Sequence, residues 1–223
     1  MSNAPAEPQS LPQAGGRFIV IDGPDGAGKT GQANRLAQWL GSTPGRSVVF
    51  TPEPGGTALG GELRRAVLKK HGPPPMARAE LFLFLADRAQ HVQEVILPAL
   101  HAGQWVVSDR FSMSTLAYQA IAHGLGVEAV LPMDEFARQG LEPDLTILLD
   151  VPAEVGLARV RHRENDRIEE QGVQFHRRVR EAFLALARDD PRCVVIDASP
   201  DEEEVWAQVR RVVTERLLEG GDG

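Results

Sequence analysis

The segment Gly23–Thr30, GPDGAGKT, sets glycines ahead of a lysine and a hydroxyl residue. It fits the pattern G-x-x-x-x-G-K-[ST], and it lies between an apolar run, RFIVID (Arg17–Asp22), and helical spacing over Lys29–Leu40. Glycines there let backbone N–H groups curl round phosphate oxygens with no Cβ in the way. The helix N-terminus behind them adds positive potential. Lys29 supplies a point charge to the β- and γ-phosphates, and Thr30 offers a hydroxyl to a magnesium ion. Lysine is scarce here, only Lys29, Lys69 and Lys70 among 24 basic residues, so a chance match is a poor explanation. Gly23, Pro24, Asp25, Gly26, Ala27, Gly28, Lys29 and Thr30 are therefore expected to hold a nucleoside triphosphate. The loop alone does not say where the phosphate goes.

A switch-type GTPase would also need N-K-x-D, and no asparagine in the chain precedes a lysine. Two strand-like runs end in aspartate, WVVSD at Asp109 and LTILLD at Asp150, and both compete for a place beside a metal ion. Arg110 follows Asp109 directly. An Asp–Arg pair at a strand end gives one group to a metal's water shell and one to phosphate; a surface ion pair or a helix cap would read the same way. Arg159, Arg161, Arg163 and Arg167 cluster in ARVRHRENDRIE. That is either a solvated helix end or a lid closing arginines over a transferring phosphoryl group, and the phosphate loop favours the lid.

Three segments could form an acceptor site. TPEPGGT (Thr51–Thr57) puts Glu53 on a proline-flanked turn. LFLFLADRAQH places Phe84 and Arg88 at i and i+4, on one helical face. The ring could stack on a base, or simply be core among its leucines. SDRFSMSTLAYQ spaces Thr115 and Gln119 the same way beside Tyr118, and an amide with a hydroxyl can read a pyrimidine edge.

These groups need a frame. Strands are expected at Arg17–Asp22, Ser47–Thr51, Trp105–Asp109, Leu145–Asp150 and Cys193–Asp197. Helices are expected at Lys29–Leu40, Leu59–Leu68, Arg78–His101 with a kink at Pro98, Ser112–His123, Ala153–Arg163, Gln174–Arg188 and Glu202–Leu218. Near-continuous apolar strands alternating with helices mean an α/β fold around a buried parallel sheet. Ligands of such sheets bind at the strands' carboxyl ends. The 223 residues fit one domain: a tail over 1–16, a body over 17–219 with a lid at about 159–170, and a short tail over 220–223. A net charge of −7 argues against a broad nucleic-acid surface, and no apolar run is long enough to span a membrane. The single cysteine, Cys193, excludes an intrachain disulfide and suits a reducing cytoplasm. The histidines, among them His71, His91, His123 and His176, lack metal-ligand spacing and read as surface or helix residues.

Taken together, FIVIDGPDGAGKT, TPEPGGT, LFLFLADRAQH, SDRFSMSTLAYQ and a lid ending in DRIE resemble the thymidylate kinase family in order and spacing, from about Arg17 to the last helix. The resemblance implies a P-loop nucleotide kinase fold: a five-stranded parallel sheet with helices on both faces and a short lid. It implies transfer of the ATP γ-phosphoryl group to dTMP with Mg²⁺, and a homodimer. Gly23–Thr30 would hold ATP, with Asp25 near the acceptor sugar and metal. Thr30 and Asp109 would serve the metal, directly or through water. Glu53 would sit beside the acceptor, and Arg64 and Arg110 would hold its phosphate. Phe84 would stack on thymine, Arg88, Thr115 and Gln119 would read its edge, and Tyr118 would crowd the ribose 2′ position. Gly26 stands where one branch of the family has arginine. The chain therefore resembles the bacterial branch whose lid supplies the catalytic arginine, here Arg161 or Arg163, acting beside Asp25, Lys29 and Arg110. Pro52, Phe111 and Gly31 depart from the family's usual Arg, Tyr and Thr. The rival readings are another nucleoside monophosphate or deoxynucleoside kinase, and a non-catalytic ATP-binding regulator.

Overall fold

A computed structural model describes residues 15–69, 73–161 and 167–219. Strands β1 (Phe18–Asp22), β2 (Val48–Pro52), β3 (Trp105–Asp109), β4 (Leu145–Asp150) and β5 (Cys193–Asp197) form one sheet in the order β2-β3-β1-β4-β5. Every pairing is parallel. β1 and β3 are buried throughout, because helices cover both faces, whereas the edge strands β2 and β5 are only partly covered.

The side-chain period of two sorts β1 between two cores. Ile19 and Ile21 join Val107, Ile147 and Leu149 under Leu36 and Leu40 of α1 (Lys29–Gly41) and Val205, Trp206 and Val209 of α9 (Glu202–Val213). Phe18 and Val20 face the other way, onto Val92, Ile96, Leu97 and Leu100. β1 is central, with β3 and β2 on one side and β4 and β5 on the other. A crevice opens where its carboxyl end meets theirs.

The remaining helices are α2 (Ala58–Leu68), α3 (Ala77–His91), α4 (Leu97–His101), α5 (Ser112–Thr115), α6 (Val127–Arg138), α7 (Ala153–Val160) and α8 (Val173–Arg188). Three expectations change. The single helix expected over 78–101 is α3 and α4 joined by a wide π-helical stretch, Val92–Ile96. Pro98 has no N–H for the carbonyl one turn back, and the widened stretch absorbs the mismatch as α4 restarts. α5 likewise widens over Leu116–Ala122, and α9 over Thr214–Leu218. Helix α6 had no counterpart among the expected elements. Pro132 lies inside it and masks its helical spacing, although Glu128 in its first turn and Arg138 in its last carry the usual charge signature. Helix α7 ends at Val160, short of Arg163. The expected tails over 1–16 and 220–223, and the lid's His162–Asp166, lie wholly or largely outside the described residues. No helix among the described residues is long and apolar enough to cross a membrane.

Candidate active site

The loop from β1 to α1 packs on α7 with no side chain between them. Gly26 has φ +77°, and a Cβ there would lie 2.1 Å from the Gly156 carbonyl oxygen. An arginine has no room at this position, in keeping with a site that draws its arginines from elsewhere. Lys29 is 6% exposed and donates to the Pro24 carbonyl at 2.7 Å. Burial, with Arg110 nearby, pulls its ammonium down to about 8, against partial compensation from Asp25, Asp109 and Asp22. Thr30 donates its hydroxyl to Asp109 Oδ2 at 2.5 Å, while Asp109 Oδ1 is buried without a hydrogen-bond partner among the described residues. An unpartnered carboxylate oxygen beside a hydroxyl at the phosphate loop fits a hard cation that completes its shell with phosphate and water. Among the described residues no group of three or more His, Cys, Asp or Glu could hold a metal by itself. Asp150 is paired with Arg180 at 2.7 and 2.8 Å and does not line the cleft, so Asp109 is the strand-end carboxylate at the loop.

Asp25 joins the loop to the far wall. Its Oδ1 accepts from Arg110 Nη2 at 2.5 Å and its Oδ2 from the Tyr118 hydroxyl at 2.8 Å. Burial alone would raise its pKa, but Arg110 and Lys29 outweigh that and hold the carboxyl below its usual value. Arg110 takes a left-handed backbone, φ 76°, and its Nη1 donates to Ser114 Oγ at 3.1 Å. Ser114 donates to buried Asp22 at 2.6 Å, so the arginine is braced from β1.

The wall opposite the phosphate loop is built from α2, α3, α5 and the widened turn after α5. Glu53 is buried on the turn after β2. Its Oε1 accepts from Arg88 Nε at 2.9 Å and Nη2 at 2.5 Å, and its Oε2 lies 2.9 Å from His91 Nδ1. Burial pushes its carboxyl up, but Arg88 and His91 prevail and hold it below the usual value. Arg88 also donates to Thr115 Oγ1 at 2.9 Å and to Asp134 of α6. Gln119 donates its amide to buried Glu80 at 2.8 Å, and Arg167 reaches the other Glu80 oxygen. Glu80 is held down to about 2: burial opposes this, but His123, Gln119 and Arg167 all donate to it.

One cleft of about 570 Å³ collects most of the expected groups: Asp25, Gly26, Ala27, Gly28, Lys29 and Thr30 on one side, and Glu53, Arg64, Phe84, Thr115, Tyr118 and Gln119 on the other. Asp109 and Arg110 lie between them. Gly23 and Pro24 are buried below its lining. Arg88 does not line the cleft either: it is 2% exposed and spent on Glu53, Thr115 and Asp134. Of the lid arginines, Arg159 lines the cleft and donates to the Ala198 and Ser199 carbonyls. Arg167 grips Glu80 and the Val67 carbonyl, on the wall opposite the phosphate loop. Arg161 is exposed, and Arg163 lies outside the described residues.

Several site-building residues escaped the sequence reading. His91 and His176, expected as surface or helix residues, lie on α3 and α8 and are 0% and 2% exposed. His176 Nδ1 lies 3.8 Å from Asp25 Oδ2. Glu80, Asp87 and Asp134 are likewise buried partners of residues that were expected. Their signal was weak: Asp87, Arg88 and His91 follow i, i+1, i+4 spacing, but only the fold shows that all three meet the Thr51–Thr57 turn.

The comparisons with known proteins agree with one another. A family model described as thymidylate kinase matches residues 21–209. A thymidylate kinase of Carboxydothermus hydrogenoformans is 46% identical over 209 residues, covering 93% of this chain and 99% of the relative. One from Synechococcus sp. strain JA-3-3Ab is 48% identical over 202 residues, 90% of this chain and 97% of the relative. The crystal structure of thymidylate kinase from Ehrlichia chaffeensis superposes with a TM-score of 0.74 at 32% identity, covering 90% of this chain and all of that one.

Proposed function

The chain belongs to the thymidylate kinase family, and from that premise we propose how its own residues carry the reaction. The reaction is transfer of the γ-phosphoryl group of ATP to dTMP, giving dTDP and ADP. The observation that carries the residue roles is the single cleft in which a phosphate loop and a base-sized polar wall face each other across the Asp25–Arg110 pair.

An acceptor phosphate oxygen, already anionic near neutral pH, attacks the γ-phosphorus. The new P–O bond forms as the bond to the β,γ-bridging oxygen breaks, and ADP takes the electron pair. No protein nucleophile is needed, so alignment and charge neutralisation carry the rate. Gly23–Thr30 cradle the ATP phosphates, and Lys29 exchanges the Pro24 carbonyl for phosphate oxygen. Arg110 and Arg64 hold the acceptor phosphate, and Asp25 orients Arg110. Phe84 stacks on the base. Because Glu80 accepts from the Gln119 amide, the Gln119 carbonyl oxygen is left to accept from the pyrimidine N3–H. Tyr118, tied to Asp25, closes the sugar side. Arg161 and Arg163 complete the site when the lid closes. Magnesium, which the family uses with ATP, would be held by Thr30 and Asp109 with phosphates and water, and it supplies charge neutralisation on the transferring group.

A homodimer is part of the same proposal. Phe82 on α3 and Met133 and Phe136 on α6 leave apolar side chains exposed on two helices that pack together. Sedimentation of the wild type and Phe136→Glu tests this: a dimer that becomes a monomer is expected. A cytoplasmic location suits a chain whose one thiol is half-buried and pushed up to about 12 by burial. ADP release, measured with and without dTMP and then across UMP, CMP, dCMP and deoxynucleosides, tests the function itself. Release that does not depend on dTMP would overturn it.

A further inference from the structure

We propose that His91 is a positioning residue for this reaction: through Nδ1 it fixes the second oxygen of Glu53, and Thr51 holds the ring in place through Nε2. The proposal rests on the reading that Glu53 faces the acceptor. His91 is the last residue of α3 and is wholly buried. Its Nδ1 lies 2.9 Å from Glu53 Oε2, and its Nε2 lies 2.7 Å from Thr51 Oγ1. A carboxylate can only accept, so Nδ1 carries the proton, and the Thr51 hydroxyl, which can donate, satisfies Nε2. Both ring nitrogens are thus engaged.

The surroundings leave this arrangement little freedom. A Cβ on Gly56 would fall 2.5 Å from Thr51 Oγ1 and 2.7 Å from His91 Nε2, so the turn's backbone closes directly over the pair. Arg88 takes Glu53 Oε1 with two N–H groups. With His91 in place both oxygens are held and the carboxylate plane is set. Without it, Oε2 is buried unpaired and the group can turn on the arginine. Asp87, one residue before Arg88, accepts from the Gly55 N–H at 3.0 Å and holds the same turn from the other side. Three residues of one helix therefore grip the segment that presents Glu53, and only His91 and Arg88 touch its carboxylate. A displacement of this group by a fraction of an ångström matters because transfer depends on alignment.

Two variants separate positioning from packing. His91→Asn puts an amide nitrogen near the place of Nδ1 and keeps the donor to Glu53. His91→Gln puts its amide near Nε2 and keeps the Thr51 contact only. Asn is smaller than Gln by one methylene, so packing alone would make Asn the more damaging of the two, in the unfolding midpoint and in activity alike. Asn is expected to keep kcat/KM for dTMP within about fivefold of wild type. Gln is expected to lose ~10- to 100-fold, with KM for ATP unchanged. Equal losses in the two variants, or losses that track the unfolding midpoint, would overturn the proposal. Nitrogen NMR of histidine-labelled wild type gives a readout that does not depend on turnover. A protonated Nδ1 and a bare, hydrogen-bonded Nε2 are expected, with the Nε2 signal shifted in Thr51→Val. A protonated Nε2 overturns the proposal even in an active enzyme. A wild type that shows this tautomer but does not phosphorylate dTMP overturns the family reading of the site and leaves His91 as the fixed partner of Glu53.

Discussion

Gly26 and Gly156 meet backbone to backbone. A Cβ on Gly26 would lie 2.1 Å from the Gly156 carbonyl oxygen, and one on Gly156 would lie 2.2 Å from the Asp25 carbonyl oxygen. The phosphate loop and the helix leading to the lid are therefore in direct contact, and a movement of one is felt by the other. Gly156 sits in ordinary helical backbone, whereas Gly26 has a positive φ. Gly156→Ala tests the contact alone, and Gly26→Ala adds backbone strain of about 1–3 kcal/mol. Both should raise KM for ATP in steady-state assays. Gly26→Ala should be the less stable of the two in urea. Wild-type ATP kinetics in Gly156→Ala would show that the contact is not needed.

Lys29 should cost the nucleotide-free protein stability while giving it activity. Its folded pKa, about 8, lies below the ordinary lysine value of 10.5, so the folded state binds this proton more weakly than the unfolded state. The penalty is full below about pH 8 and fades as pH rises toward 10.5. Lys29→Met should therefore raise the unfolding midpoint at pH 7, an advantage that shrinks by pH 10. Turnover should fall at least ~100-fold, because a charge on the transferring group is lost. Calorimetry across pH, with the coupled kinase assay alongside, checks both halves.

Asp87 offers the opposite titration. Burial, and then Glu53 beside it, push its carboxyl up to about 6, and its Oδ2 is buried without a partner. A folded pKa above the ordinary aspartate value of 3.8 means a stabilising contribution that is whole below about pH 4 and lost as pH rises through 6. Asp87→Asn keeps an oxygen for the Gly55 N–H and removes the charge. It should be more stable than wild type at pH 8, with the difference vanishing by pH 4. Denaturant midpoints at the two pH values decide it, and an equal difference at both would mean that charge is not the cause.

The strands and the phosphate loop were legible because their signals are local. An apolar run bounded by glycine or aspartate marks β1, β3 and β4, and GPDGAGKT announces itself by spacing. The acceptor wall was legible only in its lining: Phe84, Thr115 and Gln119 stand out on their segments, but the buried groups that hold them do not. Glu80 and Gln119 are 39 residues apart and Arg88 and Asp134 are 46 apart, so each pair forms only once the fold exists. A buried carboxylate and a solvated one look alike in sequence. Helix α6 was hidden by Pro132, and its Asp134 was lost with it. The histidines show the same limit: spacing along the chain says nothing of depth in the fold, and His91 and His176 are buried on their helices.

The acceptor should be chosen by the wall opposite the phosphate loop. Gln119→Ala removes the amide proposed to read the base and also strips a donor from Glu80, and Thr115→Ala removes an acceptor from Arg88. Each should weaken dTMP binding by ~1–3 kcal/mol. Phe84→Ala should cost a similar amount through lost stacking. Tyr118→Phe keeps the ring but removes the 2.8 Å donor to Asp25, so it should lower kcat more than it changes acceptor ranking. Tyr118→Ala should raise relative activity toward ribonucleotides. The measurement is kcat/KM for dTMP, dUMP, UMP and dCMP in all five variants. An unchanged ranking throughout would remove this wall from acceptor choice.

The lid arginines should divide by what they hold. Arg167 pairs with buried Glu80 and caps the Val67 carbonyl, so its charge is committed to the acceptor side before any substrate arrives. Arg167→Ala leaves Glu80 short of a donor, and a broken buried pair costs about 3 kcal/mol or more. It should lower stability and raise KM for dTMP together. Arg159 holds the Ala198 and Ser199 carbonyls beside the nucleotide end of the cleft, so Arg159→Ala should act on KM for ATP. Arg161 is exposed in this structure and has no such commitment to any of the described residues. An arginine that engages only on closure stabilises the transition state more than the ground state. Arg161→Ala or Arg163→Ala should therefore lower kcat, by as much as ~10³-fold for the one that reaches the phosphoryl group, with little change in either KM or in the unfolding midpoint. Steady-state kinetics and thermal unfolding on the four single variants separate the three classes. Full kcat in both Arg161→Ala and Arg163→Ala would leave the transferring phosphoryl group to Lys29 and Arg110, and the segment would be a solvated helix end.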